Sequence, residues 1–202
     1  NILAVILAGG KSKRFGEDKN LAKLGSKSLI EHVIDKVREK FKKILIIANK
    51  DIKIEQSKDV TIVSDCVEGN LGPLVGVLTA MKWVKNTKEN YKWIATFPSD
   101  TPFFDISIVE EYEKKITSSD STLYFVRSNE KRHNIFGLWS IDLLDTLEND
   151  LVKNNFRKVE DWANKIGVRT INIQFDKFDP FLNINTKEDL NEAEKILKDY
   201  KK

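Results

Sequence analysis

Lys11, Lys13, Arg14 and Lys19 crowd into a loop that opens on Gly9-Gly10, directly after the apolar run Ile2-Leu3-Ala4-Val5-Ile6-Leu7. That combination suits a polyanion. Glycines let backbone N–H groups approach phosphate oxygens closely, and Lys or Arg neutralises the charge. The competing reading is a Gly-Gly turn followed by a solvated basic stretch. It loses weight because the loop leaves the end of the first strand, and ligands of open α/β sheets bind outside those carboxyl ends. Two commoner phosphate motifs fail. A P-loop would need glycine at position 5, which is Val5. Adjacent Gly9 and Gly10 also break the G-x-G-x-x-G spacing of dinucleotide-binding folds, which disfavours an NAD-dependent oxidoreductase.

A carboxylate follows a second apolar run. In Phe97-Pro98-Ser99-Asp100-Thr101-Pro102, Asp100 stands where a strand should end. A turn or cap aspartate is the plain reading. Beside a phosphate loop a metal ligand is favoured, because one carboxylate can hold Mg²⁺ that bridges nucleotide phosphates. Gly72-Pro73-Leu74-Val75-Gly76 starts a helix whose N-terminus would add positive potential near a ligand; an ordinary loop-to-helix start explains the spacing equally well. Asn49 and Asp65 follow two further apolar runs and belong at the same mouth. Asp65 either caps its turn or reads guanine, whose N1–H and N2 amino group suit two carboxylate oxygens. Cys66 has no base nearby in sequence and reads as a small buried residue at a strand end.

These residues need a scaffold that brings strand ends together. Residues 2–7, 44–48, 60–63 and 93–97 are continuous apolar runs, the pattern of parallel strands buried on both faces. Residues 28–41 place Leu29, Ile30, Val33, Ile34, Val37 and Phe41 on one helical face, and 73–85 form a second helix. After residue 100 the expected order is a helix at 106–117, strands near 121–127 and 135–140, helices at 142–149 and 157–166, a strand at 168–174 and a helix at 187–200 capped by Thr186. This alternation predicts an α/β, three-layer, Rossmann-like fold with a mostly parallel sheet and a small mixed extension, one domain over residues 1–202.

Composition narrows the class. With 41% hydrophobic and 32% charged residues the chain is globular rather than disordered. A net charge of +3 is too small to argue for nucleic acid or a membrane surface. No signal-peptide pattern or membrane-length apolar run is present, and one cysteine excludes an internal disulfide framework. The expected location is the cytoplasm.

The motifs L-A-G-G-x-S-x-R-F-G-x-D-K from Leu7, G-P-L-x-G from Gly72, P-x-D-T-P-F from Pro98 and F-x-N-I-N-T-x-E-D-L from Phe181 occur in this order. Between them lie Arg132-His133, Phe136-Gly137-Leu138-Trp139 and Phe156-Arg157-Lys158-Val159-Glu160. The set resembles the molybdenum cofactor guanylyltransferases, nucleotidyltransferases of the GT-A-like type, over nearly the whole chain. The resemblance implies transfer of GMP from GTP to the terminal phosphate of molybdenum–molybdopterin, with pyrophosphate released. It places Leu7, Ala8, Gly9, Lys19, Asp65 and Asp100 at the nucleotide, with Asn49 as a looser match and Asp100 as the Mg²⁺ ligand. Gly10, Gly72 and Pro73 join that site through their backbone, and Arg14, Lys19 and Asp100 are the expected catalytic groups. Transient contacts with molybdenum-insertion proteins and recipient molybdoenzymes belong to the same expectation. The family usually has His-Pro where this chain has His133-Asn134, which questions the local turn. A relative using CTP or a sugar or polyol phosphate, and a non-catalytic binding protein, are the alternatives. Base selection by Asp65 and the retained Arg14, Lys19 and Asp100 discriminate them.

Overall fold

Strand β1, Ile2–Leu7, sends alternate side chains into different cores: Ala4 and Ile6 into one, Leu3 and Val5 into the other. A strand covered on both faces must be apolar throughout, which is why its sequence shows no alternation. Strand β4, Ile44–Ile47, is fully buried for the same reason. The computed structural model describes residues 1–9, 22–48, 52, 54, 57–66, 72–87, 89–175 and 178–200.

The remaining elements follow the expected order. A small hairpin of β2 (Lys23–Leu24) and β3 (Lys27–Ser28) leads into helix α1 (Leu29–Arg38). Strands β4 and β5 (Val60–Val63), helix α2 (Pro73–Asn86), strand β6 (Trp93–Pro98) and helix α3 (Ile108–Ser118) come next. The chain then forms β7 (Leu123–Ser128), β8 (Lys131–Ser140), α4 (Leu144–Val152), α5 (Val159–Ile166), β9 (Arg169–Asn172) and α6 (Lys187–Tyr200). Among the described residues the main sheet has the order β5-β4-β1-β6-β8-β7-β9. Strands β5, β4, β1 and β6 are parallel, β8 runs antiparallel to β6 and β7, and β9 pairs parallel with β7.

Two helical layers sandwich the sheet. Ile30, Val33, Ile34 and Val37 of α1 share a core with Ile108, Val109 and Tyr112 of α3. Helices α2, α4 and α5 bury Leu74, Leu78, Leu147, Trp162 and their neighbours against the opposite face. The chain moves outward from β1 to β4 and β5, then returns through α2 to β6 on the other side of β1. The carboxyl ends beside that reversal are where open α/β sheets bind ligands.

The ends of the helices are set by local chemistry. Ser28 donates its backbone N–H and its hydroxyl to Glu31 Oε2, both at 2.6 Å, and these bonds hold the Glu31 carboxyl below its ordinary pKa. Thr186 Oγ1 accepts from Asp189 N at 3.1 Å while Asp189 Oδ2 accepts from Thr186 N at 2.8 Å, a reciprocal cap that starts α6 as expected.

Two features differ from expectation. The β2–β3 hairpin is too short to show periodicity. Strand β8 begins at Lys131 rather than 135, because Asn129 and Glu130 turn the chain with φ of 43° and 66° and the polar residues that follow pair with β7. Val126 pairs with His133 but Phe125 pairs with Gly137, so Asn134, Ile135 and Phe136 bulge from β8. Asn134 therefore sits in a bulged strand, where its Oδ1 accepts from Arg132 Nε at 2.9 Å.

Candidate functional site

The parallel strands end on one level. Leu7 pairs with Ile47 and with Pro98, and Ile47 pairs with Val63. The ladder continues one step further. Ala8 N donates to Ile47 O at 2.8 Å, Ala48 N to Val63 O at 3.0 Å, and Ser99 N to Leu7 O at 3.3 Å. The chain segments carrying Gly9, Asp65 and Asp100 therefore leave the sheet along the same edge.

Asp65 is half-buried, and its Oδ1 is buried with no hydrogen-bond partner. Burial raises its carboxyl above the ordinary aspartate pKa. A Cβ on Gly9 would lie 3.8 Å from Asp65 Oδ2, and one on Gly76 would lie 3.9 Å from Oδ1. Gly76 also presses α2 onto the strand ends: its Cβ would stand 2.9 Å from Leu7 Cδ2 and 3.6 Å from Ile47 Cγ2. The loop after β5 is pinned to α2 by Thr79, whose Oγ1 accepts from Cys66 N at 3.0 Å and donates to Val75 O at 2.7 Å. A buried acceptor held in a fixed loop beside two glycines is suited to a ligand's N–H donors.

The start of α2 supplies the third wall. Gly72 holds φ 84°, which a side chain would strain, and Pro73 takes the first helical turn. A Cβ on Gly72 would also lie 3.4 Å from Arg157 O, so the segment before α5 borders the helix start. Arg157 itself donates Nη1 to Leu151 O at 2.8 Å and to Phe156 O at 2.7 Å, an assignment that caps the end of α4.

Asp100 is half-buried just past β6. Its carbonyl accepts from Ile184 N at 2.9 Å. Buried Thr101 places its Oγ1 3.1 Å from Asp100 Oδ1 and 2.7 Å from Asn183 Oδ1. The Asn183 segment is thus docked on the Asp100 turn. Behind it, Phe181 stacks on His133 with centroids 4.3 Å apart, and His133 Nε2 bonds Ser128 Oγ at 2.7 Å. Burial lowers the His133 pKa to about 4, so the imidazole is a neutral packing group. Phe136-Gly137-Leu138-Trp139 is likewise structural: Trp139 Nε1 donates to Thr96 Oγ1 at 2.8 Å inside the core.

Among the described residues no three His, Cys, Asp or Glu side chains gather to hold a metal by themselves. A single carboxylate fits Mg²⁺, which keeps waters and takes most other ligands from phosphates. The described residues thus bring together Leu7, Ala8, Gly9, Asp65, Gly72, Pro73 and Asp100. Gly10, Arg14, Lys19 and Asn49 lie outside them. Sequence reasoning missed Thr79 and the close packing of Gly76; the G-P-L-x-G pattern carried the only signal for the latter. Cys66 corrects an expectation. It is exposed rather than buried, because β5 stops at Val63 and Cys66 lies in the loop beyond.

A family model described as "MobA-like NTP transferase domain" matches residues 4–166. The "Molybdenum cofactor guanylyltransferase" of Rhizobium rhizogenes is 32% identical over 197 residues, covering 95% of this chain and 90% of the relative. The crystal structure of molybdopterin-guanine dinucleotide biosynthesis protein A from Archaeoglobus fulgidus superposes with a TM-score of 0.74 at 20% identity, over 98% of this chain and 99% of that one. The 2-C-methyl-D-erythritol 4-phosphate cytidylyltransferase of Francisella tularensis gives 0.69 at 17% identity, over 96% and 98%. At those identities the two structures speak to the fold alone.

Proposed function

This chain belongs to the MobA-like NTP transferase family, and we propose that it is a molybdenum cofactor guanylyltransferase that transfers GMP from GTP to the terminal phosphate of molybdenum–molybdopterin. One observation carries the residue assignment. The parallel ladder delivers Leu7–Gly9, Asp65 and Asp100 to a single edge, with Asp65 Oδ2 beside Gly9 and the unpartnered Oδ1 beside Gly76.

An oxygen of the acceptor phosphate forms a bond to the α-phosphorus of GTP. The bond from that phosphorus to the bridging oxygen breaks, and pyrophosphate leaves in line with its electron pair. The attacking phosphate is already ionised near neutral pH, so no side chain need remove a proton. What the protein supplies is alignment and charge neutralisation. In this reading the Gly9-Gly10 backbone cradles phosphate oxygens, and Arg14 and Lys19 offset the charge that builds on the transferred group. Asp65 accepts guanine N1–H and N2–H, Asn49 adds a contact, and Gly72-Pro73 turns the α2 N-terminus toward the nucleotide. Asp100 would hold Mg²⁺, which supplies Lewis-acid polarisation of the phosphates.

Residues 1–202 act as one nucleotidyltransferase domain, a reading supported by a single main sheet that, among the described residues, joins strands from β1 near the start of the chain to β9 near its end. Among the described residues no helix is long and apolar enough to cross a membrane. The proposal includes a cytoplasmic setting and transient meetings with molybdenum-insertion proteins and recipient molybdoenzymes. The test is pyrophosphate release measured with GTP, CTP and ATP, each with and without molybdenum–molybdopterin. Release that requires GTP and the acceptor together is expected; equal rates with CTP would overturn the guanylyl assignment.

A further inference from the structure

The Thr101 hydroxyl has one proton and two oxygens near it, Asp100 Oδ1 at 3.1 Å and Asn183 Oδ1 at 2.7 Å. It cannot serve both. A half-turn of the Asn183 amide exchanges its oxygen and nitrogen and satisfies all three groups: Asn183 Nδ2 donates to Thr101 Oγ1, and Thr101 donates to Asp100 Oδ1. The charged acceptor is the stronger one, so its claim on the proton should win. We propose that Asn183 and Thr101 are positioning residues that fix the rotation of the Asp100 carboxylate. This rests on the reading of Asp100 as the metal carboxylate.

Three observations support the relay. Thr101 is completely buried, so water does not compete for its hydroxyl. The Asp100 backbone is tied to Ile184 N at 2.9 Å, so the turn that carries the carboxylate is fixed against the Asn183 segment. Asn183 is itself anchored next to buried Phe181 and Ile184, although its own side chain is exposed. A carboxylate with one oxygen held by Thr101 is restricted in its rotation. Outer partners of this kind usually change metal affinity by about 10–100-fold.

The experiment measures Mn²⁺ affinity by electron paramagnetic resonance on the protein–GTP complex without acceptor, where no turnover occurs. The Mg²⁺ concentration for half-maximal rate is measured alongside. Thr101→Val should weaken Mn²⁺ about tenfold and raise the Mg²⁺ requirement equally, with the GTP KM at saturating Mg²⁺ within about twofold of the parent. Thr101→Ser, which keeps the hydroxyl, should restore both. Asn183→Asp changes an exposed side chain and therefore preserves the fold. It brings a second carboxylate to compete for the Thr101 proton and should also weaken Mn²⁺ about tenfold. Parent-like Mn²⁺ affinity in Thr101→Val or in Asn183→Asp overturns the relay. Asp100→Ala separates the two ideas: if it retains Mn²⁺ binding, the metal assignment itself is wrong; if it loses Mn²⁺ while Thr101→Val does not, only the relay falls.

Discussion

Gly9 leaves open the space in front of Asp65: a Cβ there would lie 3.8 Å from Asp65 Oδ2. Gly9 and the half-buried Asp65 carboxylate thus face the same volume. Asp65→Asn should lower the ratios of kcat/KM for GTP over ATP and GTP over CTP by roughly tenfold or more, since an amide offers one acceptor oxygen and an unwanted donor. Unchanged ratios in parallel kinetics would return Asp65 to a turn cap.

The same carboxylate links pH to both binding and stability. Its folded pKa is raised by burial, so the folded chain takes up this proton before the unfolded chain does. The ionised form therefore costs stability above the folded pKa, and the cost is relieved as pH falls through it. Asp65→Asn should raise the Tm of the ligand-free protein at neutral pH. In the parent, GTP affinity should decline at a pH above that at which an ordinary aspartate protonates. Calorimetry and GTP titration across acid pH check both.

Asp100→Ala should reduce kcat by at least about 10²-fold while changing GTP affinity far less, because metal charge acts mainly as the transition state develops. Near-normal rates at saturating Mg²⁺ would remove Asp100 from the reaction.

Arg14→Ala and Lys19→Ala should each slow transfer by roughly 10²–10³-fold, the usual effect of losing a preorganised charge stabiliser. Single-turnover rates with bound GTP would show it. Rates within a few-fold of the parent in both variants would make the loop a solvated surface.

His133 titrates at about 4 when folded against an ordinary 6.5. The unfolded chain is protonated first as pH falls, so stability is full above pH 6.5 and declines until about pH 4. The contribution is at most about 3 kcal/mol. His133→Gln keeps a partner for Ser128 and should flatten this part of the profile, read as a smaller fall in urea midpoint between neutral and mildly acidic buffer.

Much of this protein was legible in its residue order. Apolar runs such as Ile44–Ile47 can persist only where both faces are covered, so they announce parallel strands, and parallel strands put their following residues on one edge. That logic alone puts Gly9, Asp65 and Asp100 on one edge. Capping is equally local, and Thr186 declared the start of α6 through a partner three residues away. Tertiary structure alone decided the rest. Lys131–Asn134 carries no strand signal, and it is extended because β7 pairs with it. Cys66 is exposed because β5 ends three residues earlier. Thr101 meets Asn183 across 82 residues of chain, a pairing set by how the last loop packs on the Asp100 turn. Periodicity and capping arise from backbone geometry over a few residues, so a sequence displays them directly. Contacts between distant segments depend on which packing buries the most apolar surface with its polar groups satisfied, and only the folded chain resolves that competition.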